Sequence, residues 1–226
     1  MPVILNIETS TTLCSVSLSK EGRLIASKEV NEGFTHAENL HVFIEDVLKE
    51  TGLTAKDLNA IAVGKGPGSY TGLRIGVSAA KGLAFALQIP LVAVNTLQTM
   101  AAAAVSKNKT ESLLCPMLDA RRMEVYTAIF DNKLNVVRGT SSEILPDALS
   151  IFETGKPICF FGDGMPKCKD ILRQIPNSDF LDNIVPSSTA LAQLSYQKFL
   201  KEQFEDVAYF EPFYLKDFLI REKENK

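Results

Sequence analysis

The stretch GKGPGSYTGLRIGVSAAKGLAFAL, residues 64–87, joins a glycine-rich loop to a helix of small side chains. Five of its first thirteen residues are glycine. Glycine loops that open helices often hold phosphate, because free backbone N–H groups converge there. The spacing argues against that here. A P-loop requires GxxxxGK[ST], and no such run follows Lys65. A dinucleotide fingerprint requires GxGxxG; Gly66 and Gly68 supply the first two glycines, and Gly72 arrives one residue late. The stretch reads instead as a tight turn at Gly66, Pro67 and Gly68, a cap from Ser69 or Thr71, and then a helix.

In that helix Gly72, Gly76, Ala80 and Ala84 sit four apart in one row, beside an apolar stripe of Leu73, Val77, Leu83 and Leu87. A helical glycine costs up to about 1 kcal/mol relative to alanine. The row therefore calls for another backbone in close approach. That backbone belongs either to this chain's own sheet or to a second subunit, and the pattern alone leaves both open.

Upstream, residues 3–30 read as three strands, with Val3, Leu5 and Ile7 alternating and a turn at Lys20–Gly22. HAENLHVFIEDVLKETG reads as a helix ending at Gly52, with Ala37, Leu40, Ile44, Val47 and Leu48 on one face. LNAIAV and IPLVAV are strands on either side of the glycine helix, and TLQTMAAAAVSK is a further helix. The pattern then restarts. SLLCPMLDARRMEVYTAIFDNKLNVVRGTS again reads as strand, acidic turn, strand, polar turn and strand, and ICFFGDGMPKCKDIL repeats the theme of strand, GxG and helix. The reading is an α/β chain of two βββαβα units in tandem. The break falls in residues 106–112, which makes 1–105 an N-terminal and 106–226 a C-terminal subdomain. A final helix, TALAQLSYQKFLKEQFE, and the segment YFEPFYLKDF follow, and REKENK reads as a frayed tail.

The chain has 226 residues, 46% apolar, with a net charge of −3. That balance argues against strong unaided binding to nucleic acid, and against a polybasic membrane surface. No apolar run approaches the ~20 residues of a membrane span, and MPVILNIETSTT has no basic lead, so neither a membrane anchor nor a signal peptide is expected. Cys14, Cys115, Cys159 and Cys168 are scattered, which suits buried thiols in a reduced, cytoplasmic protein.

His36 and His41 are the only histidines. Five residues apart, they do not share a helix face as a metal pair at i, i+4 would, so no metal site is expected. Val42 lies in the otherwise polar arc of Glu38, Glu45, Asp46 and Lys49, which hints at a partner. IETSTT and LDARR form two acidic turns. Glu8, Thr9 and Ser10 have the types to grip phosphates with magnesium on the acid; Asp119 and Arg121 suit this less, since Arg121 is bulky where backbone approach wants glycine. Ordinary turn chemistry is the preferred reading of both. No glycine follows Gly164, so the late glycine-rich turn on which a nucleotide fold of this type rests its adenosine is missing.

VGKGPGSYTGLRIGVSAAKGLAFAL, taken with ILNIETST, HAENL and LDARRMEVY, resembles the TsaB (YeaZ) family from residue 3 to about residue 130. FFGDG and EPFYLKDF fit in order beyond. The resemblance implies an actin-like, sugar-kinase-like (ASKHA) fold in two halves. It implies a non-catalytic companion of TsaD, the subunit that moves threonylcarbamoyl onto N6 of the tRNA adenosine 3′ of the anticodon. TsaD carries an HxxxH metal motif, absent from this chain. Family members pair with TsaD through two helices that match residues 34–51 and 70–87 here, or with themselves as a homodimer when alone. TsaE, a small ATPase, joins the pair, and TsaC supplies the adenylate.

On that basis His36, Leu40, Val42, Gly72, Leu73, Gly76, Val77, Ala80 and Ala84 are expected at the partner interface, typically ~800 Å² per partner. Glu8, Thr9, Ser10, Asp119 and Arg121 are expected to be a vestigial nucleotide site. Glu8 stands where aspartate is expected in most relatives. No cofactor is expected for this chain, with ATP or ADP and magnesium entering only in the complex. Three rivals remain: a sugar-kinase-like phosphotransferase, opposed by the missing glycines and Arg121; a metallopeptidase, opposed by the lack of any zinc pair or nucleophile triad; and a direct tRNA binder, opposed by the net charge.

Overall fold

The computed structural model describes residues 1–33, 35–108 and 110–216. The tail REKENK and the end of YFEPFYLKDF lie outside the described residues.

The first unit runs β1 (Val3–Glu8), β2 (Cys14–Lys20), β3 (Arg23–Val30), α1 (His36–Thr51), β4 (Ala60–Gly64), α2 (Tyr70–Leu87), β5 (Leu91–Val94) and α3 (Thr96–Val105). The second runs β6 (Leu113–Asp119), β7 (Glu124–Phe130), β8 (Val136–Ile144), β9 (Ile158–Phe161), α4 (Met165–Leu172), β10 (Ser178–Leu181) and α5 (Ser188–Leu200). Each unit holds one five-stranded sheet, ordered β3-β2-β1-β4-β5 and β10-β9-β6-β7-β8. In both, the meander is antiparallel and the strands that follow add in parallel.

The duplication is real and uneven. Each unit extends the βββαβα core by a strand and a helix. Where α1 stands in the first unit, the second has only a 3-10 turn at Leu149–Phe152. β10 is four residues long and half-exposed, too short and too polar for alternation to mark it.

β1 is buried along its whole length because both faces of its sheet are covered. Leu5, Ile7, Ile61 and Val63 meet Leu40, Ile44 and Val47 of α1 and Val77, Ala80 and Ala84 of α2. On the other face, Ile4, Ala60, Ala62, Val92 and Val94 meet Leu191 of α5. That helix comes from the second unit. In return α3 lays Leu97, Met100, Ala101 and Ala104 against Leu114, Leu118, Phe130 and Phe161 of the second sheet. The two units are locked by exchanged helices.

The α5 seam is polar and fully paired. Ser188 N–H donates to Ser15 Oγ at 2.8 Å, Ser17 Oγ donates to Ser188 O at 3.0 Å, and Ser195 Oγ donates to Asn6 Oδ1 at 2.6 Å. Buried polar groups demand such partners, and this set fixes the helix on its sheet. On α1 the buried positions are His36, Leu40, Ile44 and Val47; Ala37, assigned to that face from its spacing, is exposed. The small change of helix phase follows from His36 turning inward to a backbone carbonyl.

Candidate functional site

α2 begins where Ser69 Oγ accepts a hydrogen bond from Gly72 N–H at 3.3 Å. Its row of small residues points inward. A Cβ on Gly72 would lie 2.1 Å from Thr9 O, and one on Gly76 would lie 2.2 Å from Thr9 Oγ1. Thr9 Oγ1 donates to Gly72 O at 2.8 Å, and Ser69 N–H donates to Ser10 O at 2.7 Å. The close approach that the glycines permit is therefore to this chain's own β1–β2 turn.

The same packing closes that turn. Glu8, Thr9 and Ser10 are buried. Glu8 Oε1 accepts from Ser10 N–H at 2.8 Å, while Oε2 has no hydrogen-bond partner among the described residues. Burial pushes the Glu8 carboxyl above its ordinary range, against the hydrogen bonds from Ser10 and Thr9. A fully buried carboxyl with a raised pKa, followed by buried Thr9 and Ser10, is a poor fit to magnesium or a nucleotide's phosphates; the residues of this turn that reach solvent are Thr11 and Thr12.

The second turn is open. Asp119 Oδ1 accepts from Arg121 N–H at 2.7 Å and from Lys167 Nζ at 2.5 Å, and Asp119 N–H donates to Asp163 Oδ1 at 3.0 Å. Burial works to raise the Asp119 carboxyl; the Lys167 ion pair and the Arg121 N–H outweigh it and hold it below its ordinary range. Burial raises Asp163. Arg121 is exposed. The two halves of the expected nucleotide site are thus unlike, one sealed and one solvated.

Eight of the nine residues expected at a partner interface, namely His36, Leu40, Gly72, Leu73, Gly76, Val77, Ala80 and Ala84, are buried within the chain itself. Val42 alone is at the surface, 52% exposed. His36 Nε2 lies 2.7 Å from Thr11 O and pins α1 to the turn. The outer face of the helix pair is carried by the next row of α2. Ile75, Ser78, Ala79, Gly82 and Leu83, together with His41 of α1, line a shallow groove. Phe85 of the same helix is 77% exposed. His36 and His41 are on different faces, and the described residues contain no group of three or more potential metal ligands.

Sequence reading also missed a strap. After α5 the chain returns along the first unit, where Glu205 N–H donates to Leu91 O at 2.8 Å. Lys81 Nζ of α2 donates to Ala208 O at 3.2 Å and Phe210 O at 2.8 Å. Phe213 N–H donates to Lys65 O in the glycine loop at 2.7 Å. Tyr214 stacks on Tyr70 with ring centroids 5.0 Å apart, and Lys216 pairs with Glu124 of the second unit. The aromatic run of residues 209–214 was its only signal.

The family described as tRNA N6-adenosine threonylcarbamoyltransferase matches residues 33–220. The tRNA threonylcarbamoyladenosine biosynthesis protein TsaB of Bacillus subtilis is 34% identical over 176 residues, 76% of each chain. TsaB of Escherichia coli K12 is 40% identical over 132 residues, which span 58% of this chain and 56% of that one. Among solved structures, YeaZ from Pseudomonas aeruginosa superposes with a TM-score of 0.79 at 29% identity, covering 95% of this chain and 100% of that one. A polyphosphate/ATP-glucomannokinase from Arthrobacter superposes at 0.52 with 12% identity over 89% of this chain and 100% of that one, a likeness of fold alone. No helix among the described residues is long and apolar enough to cross a membrane.

Proposed function

Because the chain belongs to the TsaB branch of the tRNA N6-adenosine threonylcarbamoyltransferase family, we propose that it is a non-catalytic companion subunit in tRNA threonylcarbamoyladenosine biosynthesis. Its partner is the TsaD paralogue, which performs the transfer to the adenosine 3′ of the anticodon. TsaE joins the assembly, TsaC supplies the adenylate, and the chain alone pairs with itself through the same face. The setting is the cytoplasm. Nucleotide and magnesium belong to the complex and not to this chain's sealed first turn.

The observation that carries this reading is the outward groove of α1 and α2. Ile75, Ala79 and Leu83 line it with Gly82, whose missing Cβ leaves open space, and Val42 and Phe85 are exposed on the same two helices. A helix pair with that face suits two helices of a paralogue built the same way. The expected contact is shifted from the Gly72–Ala84 row to the Ile75–Leu83 row.

The test is light-scattering mass of the chain alone and mixed with the TsaD of the same organism. A stoichiometric mixed complex is expected for the native chain. Gly82→Arg should abolish it without lowering the melting temperature, since that position is exposed and arginine favours a helix more than glycine does. A chain that ignores TsaD, or a Gly82→Arg variant that still pairs, would overturn the reading.

A further inference from the structure

The hairpin tip between β6 and β7 breaks a local rule with no structural gain. Arg121 has φ 70° and Arg122 has φ 50°, two consecutive non-glycine residues in the left-handed region. Glu124 N–H donates to Arg121 O at 3.2 Å, closing a turn in which Arg122 is the first central residue. Positive φ at that place in a hairpin favours glycine, and asparagine tolerates the left-handed region better than arginine does. The side chains give nothing back locally. Both residues are exposed, and among the described residues neither guanidinium makes an ion pair. Strain that the fold does not use is kept where a side chain has an outside task.

The surroundings name the task. Of the three carboxylates beside the tip, Asp119 is paired with Lys167 and Glu124 with Lys216, while Asp163 accepts from Asp119 N–H. Both guanidiniums stay exposed and without an ion pair among the described residues, Arg121 acting on Asp119 only through space, on a chain whose net charge is −3. Lys216 lies 6.0 Å from the Tyr126 ring centroid. Two residues before it, Tyr214 stacks on Tyr70, with the Arg74 guanidinium 5.4 Å from that ring. Two adjacent exposed guanidiniums, with Lys216 nearby on Glu124, suit an anion that repeats along a strand. A free nucleotide fits less well, because its phosphates would need donors from both turns and the Glu8–Ser10 turn offers none to solvent.

We propose that the Arg121–Arg122 tip contacts the phosphodiester backbone of an RNA strand. This rests on the proposed function, in which that strand is the tRNA under modification. It assigns the chain a direct share in holding the substrate, supplied by a local patch against the overall charge.

The test compares the native chain with Arg121→Asn/Arg122→Gly and with Arg121→Lys/Arg122→Lys. Each is mixed with TsaD and titrated with unmodified tRNA transcript across a salt series, with assembly read separately by light scattering. The Asn/Gly variant relieves the turn, so its melting temperature should rise by a few degrees while assembly is unchanged. Its tRNA affinity at 50 mM salt should fall about ten-fold, and the slope of log K against log salt should shrink by about 1.4 for two lost phosphate contacts on a single strand. The Lys/Lys variant keeps the charge and should keep most of the slope. Unchanged affinity and slope in an assembled Asn/Gly complex would overturn the proposal and leave the companion-subunit reading standing. Failure to assemble with retained, arginine-dependent tRNA binding by the chain alone would do the reverse. A variant that loses ATP binding but not tRNA binding would overturn the proposal in favour of a free nucleotide.

Discussion

Gly72→Ala and Gly82→Ala make the same chemical change on one helix and should move stability in opposite directions. Replacing a helical glycine by alanine gains about 0.5–1 kcal/mol from backbone entropy. At Gly82 nothing lies within 4 Å of the added Cβ, so that gain should appear whole, as a rise in melting temperature of about 1–4 °C for a chain of this size. At Gly72 the added Cβ would sit 2.1 Å from Thr9 O, a backbone atom in a turn pinned by Thr9 Oγ1 on Gly72 O and by Ser69 N–H on Ser10 O. No flexible side chain is there to swing away. Overpacking costs about 1–3 kcal/mol, and a rigid neighbour puts this site at the upper end. The net loss should be about 2 kcal/mol, a fall of about 4–8 °C. Urea unfolding with an unchanged m-value, run beside thermal melts, would read both. A Gly72→Ala chain as stable as the native one would refute the reasoning. The small row would then be open, and the partner helix would belong there.

Two further outcomes follow from buried polar groups. Burial raises the folded-state pKa of Glu8 above its unfolded value, so the stability it confers is full below the unfolded carboxylate range and is lost as pH rises through the folded pKa. Glu8→Gln should therefore match the native chain near pH 4 and become progressively more stable than it as pH rises; melting curves that stay parallel across pH would refute this. Ser195→Ala leaves Asn6 Oδ1 without its 2.6 Å donor in the α5 seam and should cost about 1–3 kcal/mol in chemical denaturation; a loss below a few tenths would mean that the seam is not what seats the helix.

The sequence made the doubled α/β plan legible because β1, β4 and β5 are short apolar runs and because α1 and α2 carry strong periodicity. It could not show the exchange of α3 and α5. Leu97, Met100 and Ala101 are apolar on any sheet, and nothing in their spacing says which sheet they meet. The strap was hidden for a related reason. Its bonds are backbone bonds, such as Phe213 N–H to Lys65 O, and these leave no mark on residue type beyond an aromatic run. β10 was too short to register.

The helix α2 marks the limit more sharply. Its small residues announce that some backbone comes close, and that inference holds; spacing carries no information about whose backbone it is. Coordinates decide it through one neighbour, Thr9, which sits against both Gly72 and Gly76. Once that row is spent on the chain's own turn, the outward surface must lie about 100° round the helix, and there Ile75, Ala79 and Leu83 alternate with Ser78 and Gly82. If the helix also receives a partner, as proposed, sealing the turn and pairing fall to adjacent rows. Sealing the turn is also what the proposed non-catalytic role rests on. The glycines that let α2 descend onto Thr9 commit the Thr9 hydroxyl to Gly72 O, while Arg121 and Arg122 stay exposed on the other turn, where the RNA contact is proposed.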